Sequence, residues 1–228
     1  MTTSKISLKF FGPTIEFQID DKVAYINPFE RNEDRKPENG DLILSFIRDG
    51  VTDLHMKLDL SCQMKGLKCY GKPKSSFFVC DSLSRHWKDL DMDAPENRDF
   101  PSKDKIRQIN GNIVEFDDCM VATDLLSHNE VVHGVSLTVD DLEFHYFFVE
   151  KAYVEDFLNH TSSCAILVID NWNAKKALVR EIVLADQSER FYIACSTLGQ
   201  KDIKEFQAIL PKALGDKIIF KKSKWVYS

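Results

Sequence analysis

Between Asp117 and His145 the chain gathers its densest set of groups able to do chemistry. They are Asp117, Asp118, Asp124, His128, Glu130, His133, Asp140, Asp141, Glu143 and His145. Imidazole with carboxylate is the donor set that suits zinc, manganese or iron. Asp124 and His128 stand at i, i+4 and would share one face if their stretch were helical. His133, however, alternates with Val131, Val135 and Leu137, as a strand residue does, and His128-x4-His133 is not a recognised ligand spacing. A histidine in such a row is ordinarily a satisfied core or edge residue. Asp124, His128, His133 and His145 are therefore the ligands of an alternative reading, a metal-dependent enzyme.

Other catalytic signatures are missing from the sequence. There is no G-x-S-x-G elbow, no G-x-G-x-x-G and no G-x-x-x-x-G-K-[ST], so neither a nucleophile turn nor a phosphate cradle is encoded. Cys62, Cys69, Cys80, Cys119, Cys164 and Cys195 contain no C-x-x-C pair. Without an export signal they read as reduced thiols rather than disulfides or a zinc knuckle. No cofactor is expected. From Pro211 onward five lysines face one acid, and Lys221, Lys222, Lys224 and Trp225 interleave charge with an aromatic ring. That combination can track phosphates and stack bases. Lysines on an edge strand also discourage edge-to-edge pairing, which is the plainer reading.

The elements that must position these residues are mostly strands. Ile6, Leu8 and Phe10, then Ile15, Phe17 and Ile19, alternate on either side of Gly12-Pro13, and Asp20-Asp21-Lys22 turns the chain into Val23–Asn27. Strands are also predicted at 41–47, 54–60, 67–70, 77–80, 111–116, 131–139 and 142–149. Short helices are predicted at 81–90 and 151–158, and a longer one at 201–214 that Pro211 should end or kink. Residues 164–197 hold three apolar runs, Cys164–Ile169, Ala177–Leu184 and Phe191–Cys195, and read as a three-stranded meander at the centre of the core. The expected class is α+β, β-dominated, with mostly antiparallel sheets and a few short helices.

Residues 91–105 carry two prolines and many charges and read as a linker or exposed loop. They would separate an N-terminal β-rich lobe, 1–90, from a C-terminal α+β lobe, 106–228; a single domain is the alternative. An offset of 70 aligns Ile43 with Ile113 and Phe77-Phe78-Val79 with Phe147-Phe148-Val149; this is either a duplication that made two similar lobes or, on the plainer reading, a coincidence of apolar residues in two β-rich segments.

The net charge of −6 and the hydrophobic share of 43% describe an ordinary acidic domain. Such a charge disfavours non-specific binding to nucleic acid or anionic membrane. With no long apolar run and no signal-peptide core, the expected location is the cytoplasm. On this reading the chain is a non-catalytic interaction protein: an inhibitor, an immunity-type protein or an accessory subunit. It would present Asp89, Asp91, Asp93, Glu96, Asp99, Asp117, Asp118, Asp140 and Asp141 to a basic protein partner. The alternatives are the metal enzyme above and a nucleic-acid module using the lysine-rich C-terminus.

Overall fold

The structure, a computed structural model, describes residues 5–11, 14–28, 40–45, 71–98, 100–116, 119–128, 131–149, 162–169, 171–195 and 197–222. Period-two alternation makes the first three strands an antiparallel meander, β1 (Ile6–Phe11), β2 (Thr14–Ile19) and β3 (Lys22–Ile26). The β2–β3 reversal uses Asp20 at φ 51°, a left-handed conformation that a short polar side chain tolerates. β4 (Gly40–Ser45), β5 (Gly71–Val79) and β6 (Ile106–Gln108) then add in parallel, so the sheet runs β1-β2-β3-β4-β5-β6. Helix α1 (Asp81–Asp89) follows β5 and buries Leu83 and Trp87. Trp87 also meets Phe100 edge-on at 5.3 Å and donates its Nε1–H to the Pro101 carbonyl at 3.2 Å.

The second sheet repeats this plan. β7 (Asn112–Phe116), β8 (Cys119–His128), β9 (Val131–Val139) and β10 (Leu142–Phe148) are antiparallel. β11 (Cys164–Ile169), β12 (Phe191–Cys195) and β13 (Ile218–Lys222) continue in parallel. Asp140, at φ 52°, turns β9 into β10 as Asp20 turns β2 into β3. Helix α2 (Trp172–Ala185) joins β11 to β12. Helix α3 (Gln200–Ala208) and the short α4 (Lys212–Gly215) join β12 to β13, with Pro211 between them.

Three expectations are corrected here. The sheets are mixed, not mostly antiparallel: β3 to β6 and β10 to β13 pair in parallel, and the described connections β5–β6, β11–β12 and β12–β13 carry helices that return the chain to the same end of the sheet. Ala177–Leu184 is helix rather than a meander strand. Asn171 caps it through Oδ1, which accepts from the Ala174 N–H at 3.3 Å, and Trp172, Val179, Ile182 and Val183 form its buried stripe. The repeat also has a different register. The row Tyr25–Ile43–Phe77–Ile106 corresponds to His145–Ala165–Phe191–Ile218, whereas an offset of 70 matches β4 with β7 and β5 with β10. The strands expected at 54–60 and 67–70 and the helix at 151–158 lie outside the described residues.

The two sheets pack face to face. One core cluster draws Ile15, Phe17, Ile26, Leu42 and Leu44 from the first sheet and Val135, Leu137, Tyr146, Ile166 and Val168 from the second. A second cluster seals α2 and α3 onto the outer face of the second sheet, through Leu167, Phe191 and Ile193 below and Trp172, Val179 and Phe206 above. Among the described residues no helix is long and apolar enough to cross a membrane.

Candidate functional site

Cross-sheet contacts fix how the two sheets are oriented. Phe17, in register with Ala24 of β3, meets Phe144 at 5.3 Å, and Asn27, just past the end of β3, donates its Nδ2–H to the Tyr146 hydroxyl at 3.5 Å. The order 24, 27 along β3 is thus the order 144, 146 along β10. The parallel strands of both sheets run the same way, and their C-terminal ends share one edge of the sandwich. Phe10 meets Tyr192 at 5.3 Å, so β1 lies over β12 and β3 over β10. Continuing that order places β4 and β5 opposite β9 and β8. In open α/β sheets the C-terminal ends of the strands are where ligands bind.

Sequence reasoning did not single out the residues on the floor of this edge. Asn27 is buried, with φ at 48°; its N–H donates to the Leu44 carbonyl at 2.8 Å and its carbonyl accepts from the Thr14 hydroxyl at 2.7 Å. Burial pushes the Tyr146 hydroxyl well above the ordinary phenol range, against a small opposing pull from Asn27. Ser45, at the end of β4, is buried beside them along the same edge. The Asn27-Pro28 pair after an apolar strand was the only local signal of this turn.

The proposed metal residues divide between two places. β8 runs parallel to β10, so its last residue, His128, reaches the shared edge, and β9 starts there with His133 beside the bulge at Leu126/Ser127. Asp124 and His145 lie further down, in register on either side of Ser136. That separates their backbones by two strand spacings, roughly 9.6 Å. Asp124 is exposed and its Oδ1 accepts from the Leu125 N–H at 2.8 Å. His145 is 2% exposed and pairs through Nε2 with Glu143 Oε1 at 2.7 Å. The side chains of His128 and His133 lie outside the described residues, and among the described residues no three His, Cys, Asp or Glu side chains converge on a metal position.

The acidic set is scattered over turns. Asp89 is exposed at the end of α1, Asp140 and Asp141 form the β9–β10 turn, and Asp91 and Asp93 are exposed. Asp91 closes its own turn, accepting from the Asp93 N–H at 3.0 Å. Asp99, Asp117, Asp118 and the Glu96 side chain lie outside the described residues. Of the basic set, Lys221 is spent on packing. Its Nζ sits 5.7 Å from the Phe10 ring centre and 6.0 Å from that of Tyr192, a favourable cation–π position. The Lys222 side chain, Lys224 and Trp225 lie outside the described residues.

No protein-family model matches the chain, and no curated protein does. Solved structures do match it. One is a possible metal-dependent hydrolase from Veillonella parvula DSM 2008, at a TM-score of 0.54 and 12% identity over 99% of this chain and 98% of that one. Another is the metallo-beta-lactamase fold protein YhfI from Bacillus subtilis, at a TM-score of 0.50 and 8% identity over 100% of both chains. The chain has the metallo-β-lactamase fold. This corrects the expected α+β class to an α/β sandwich of two mixed sheets. It also overturns the expectation of a non-catalytic protein-interaction module, since the scaffold is shared with a protein described as a possible metal-dependent hydrolase. Of the sequence-based readings, the metal-dependent alternative is the one this fold accords with.

Proposed function

We propose that this protein is a metal-dependent hydrolase whose reaction centre is the shared C-terminal edge of the sandwich. The observation that carries the reading is the convergence of both parallel halves on one edge in a metallo-β-lactamase fold. The donor chemistry of the chain fits. The backbone brings His128 and His133 to neighbouring strand ends at this edge. Residues 46–70, which leave the end of β4, and 150–161, which leave the end of β10, contain His55 and His160 by sequence, together with several carboxylates. Imidazole and carboxylate together suit zinc, manganese or iron. Such an ion, when bound, lowers the pKa of its water and polarises a carbonyl or phosphoryl oxygen.

His128 and His133 are the chain's own candidates to hold the ion, and the His145–Glu143 pair is assigned to scaffold. Asn27 and Tyr146 form a buried, hydrogen-bonded floor beneath the edge. Burial makes the Tyr146 hydroxyl hold its proton more firmly than an ordinary phenol does.

The test is metal analysis of the full chain after zinc or manganese loading, with hydrolysis of an activated ester, a lactone and a phosphodiester. His128→Ala and His133→Ala should each lower metal affinity by at least about 10-fold, since even outer partners of metal ligands have effects of that size. His145→Ala should leave the metal content unchanged. A loaded protein without stoichiometric metal, or His128→Ala and His133→Ala variants with full metal content, would overturn the reading.

A further inference from the structure

On the outer face of the second sheet, α2 and α3 each return the chain from the C-terminal end of one parallel strand towards the start of the next, so they run in the same direction. Between them is a slot of about 400 Å³, within the size range of small-ligand sites. Its floor is Trp172 against Phe206, ring centres 5.1 Å apart, and that contact sets the level of one helix against the other. Glu205 lies one residue before it on α3, whereas Lys176 and Arg180 lie about one and two turns beyond it on α2. At a rise of about 1.5 Å per residue, acid and bases are offset along the slot by on the order of 10 Å. Ile209, 56% exposed, lines the level between them.

Lys176 and Arg180 are like charges at i, i+4, an arrangement that weakens a helix. No acid stands three or four residues from either along α2, and among the described residues neither has an ion-pair partner. Glu181 also lines this end, but two bases against one acid leave it net positive. At the other end Asp202 is taken up by the Gly199 N–H, which donates to its Oδ2 at 2.9 Å. Glu205 pairs with Lys201 at 3.6 Å, both side chains more than half exposed; such a pair is worth little and yields to a better-placed cation.

We propose that this slot binds a short peptide of about three residues with free termini, whose extended length of roughly 10 Å matches the offset of the charges. Its N-terminal ammonium pairs with Glu205, and its apolar side chains lie over Trp172, Phe206 and Ile209. Its C-terminal carboxylate is held by Lys176 and Arg180, the guanidinium being shaped for bidentate pairing. A simple anion would meet acids at one end, a simple cation would meet bases at the other, and a single amino acid is too short to reach both.

Isothermal titration calorimetry of the full chain with alanyl-leucyl-alanine tests this, and it needs no metal. Acetylating the peptide's N-terminus or amidating its C-terminus should each weaken binding by at least about 10-fold, as losing a hydrogen bond to a charged group does. Arg180→Gln should weaken the free peptide similarly and leave the amidated peptide unaffected. Glu205→Gln should do the same for the free and the acetylated peptide. Both residues are exposed, and circular dichroism checks that each variant is folded. No saturable binding of the free peptide would overturn the proposal. So would equal binding of the blocked peptides, folded variants that bind as the wild type does, or leucine alone binding as tightly. A concentration-dependent dimer that closes the slot and that the peptide does not dissociate would overturn it as well.

Discussion

Glu16 shows how a single residue constrains the first sheet. It is 2% exposed, yet its two oxygens accept from Lys9 Nζ at 2.6 Å and from the Tyr25 hydroxyl at 2.9 Å. The three residues are in register across β1, β2 and β3. Hydrogen bonds to a buried carboxylate are worth more than neutral ones, and Glu16→Ala removes both. Glu16→Ala should therefore cost about 2–3 kcal/mol in urea unfolding, and Glu16→Gln less, because an amide oxygen still accepts. Equal losses for the two variants would show that packing, not the charge, dominates. Cys164 makes a prediction in pH. Burial pushes its thiol from an ordinary 9 up to about 12, with the positive charge of Arg190 opposing. The folded chain then keeps a proton that the unfolded chain releases, so stability is full below about pH 9 and falls as pH rises towards 12. Cys164→Ala should flatten that alkaline decline in the melting temperature, whatever it does at pH 7. An unchanged slope would refute this account. A sequence shows that Glu16 and Cys164 sit in strands, but their partners across neighbouring strands appear only once register is known.

At the scale of elements, strands with clean alternation were legible and the crossover helix was not. β9 was read at its observed bounds, Val131–Val139, because the polar turn at Asp140-Asp141 punctuates a period of two. The α2 segment was misread because Ala177–Leu184 is apolar and β-branched when viewed as a run. Its helical signal lay in the spacing of Trp172, Val179, Ile182 and Val183 around Lys175, Lys176, Arg180 and Glu181. The missing piece was Asn171, a helix cap at the end of a buried strand, which marks a strand-to-helix crossover. Asn171→Ala should cost about 1 kcal/mol, a usual value for losing a cap, with the loss visible in chemical denaturation. In β9, Gly134 allows a close approach to β10. A Cβ there would strike the Tyr146 carbonyl and lie 2.7 Å from Phe147 Cβ. Gly134→Ala should destabilise by roughly 1–3 kcal/mol or more, the range for overpacking. A neutral result would mean that the two strands can move apart without loss.

For the molecule as a whole, the decisive contacts join residues far apart in the chain: Phe10 with Tyr192, Phe17 with Phe144 and Asn27 with Tyr146. No local pattern encodes them, so neither the shared edge nor the position of His128 and His133 on it could be read before the fold. The histidines themselves were legible as chemistry; their separation from Asp124 and His145 was not. The same contacts bear on how the chain folds. The first sheet takes its last strand, β6, from residues 106–108, beyond the charged segment 91–105, and Trp87 ties that segment to α1 through Phe100 and Pro101. Each sheet's inner face is buried chiefly by the other. A fragment of residues 1–105 would expose Phe17, Ile26, Leu42 and Leu44, and a fragment of 106–228 would expose Val135, Leu137, Tyr146 and Ile166. Burying one such side chain contributes about 1.5–3 kcal/mol, so the four named in either fragment amount to about 6–12 kcal/mol, comparable with the roughly 5–15 kcal/mol by which a whole domain is ordinarily stable. The intact chain should therefore melt in one cooperative transition. Neither fragment alone should show native near-ultraviolet dichroism, and co-expression should restore it. A 106–228 fragment that melts cooperatively by itself would show two independent lobes and defeat the shared-core account.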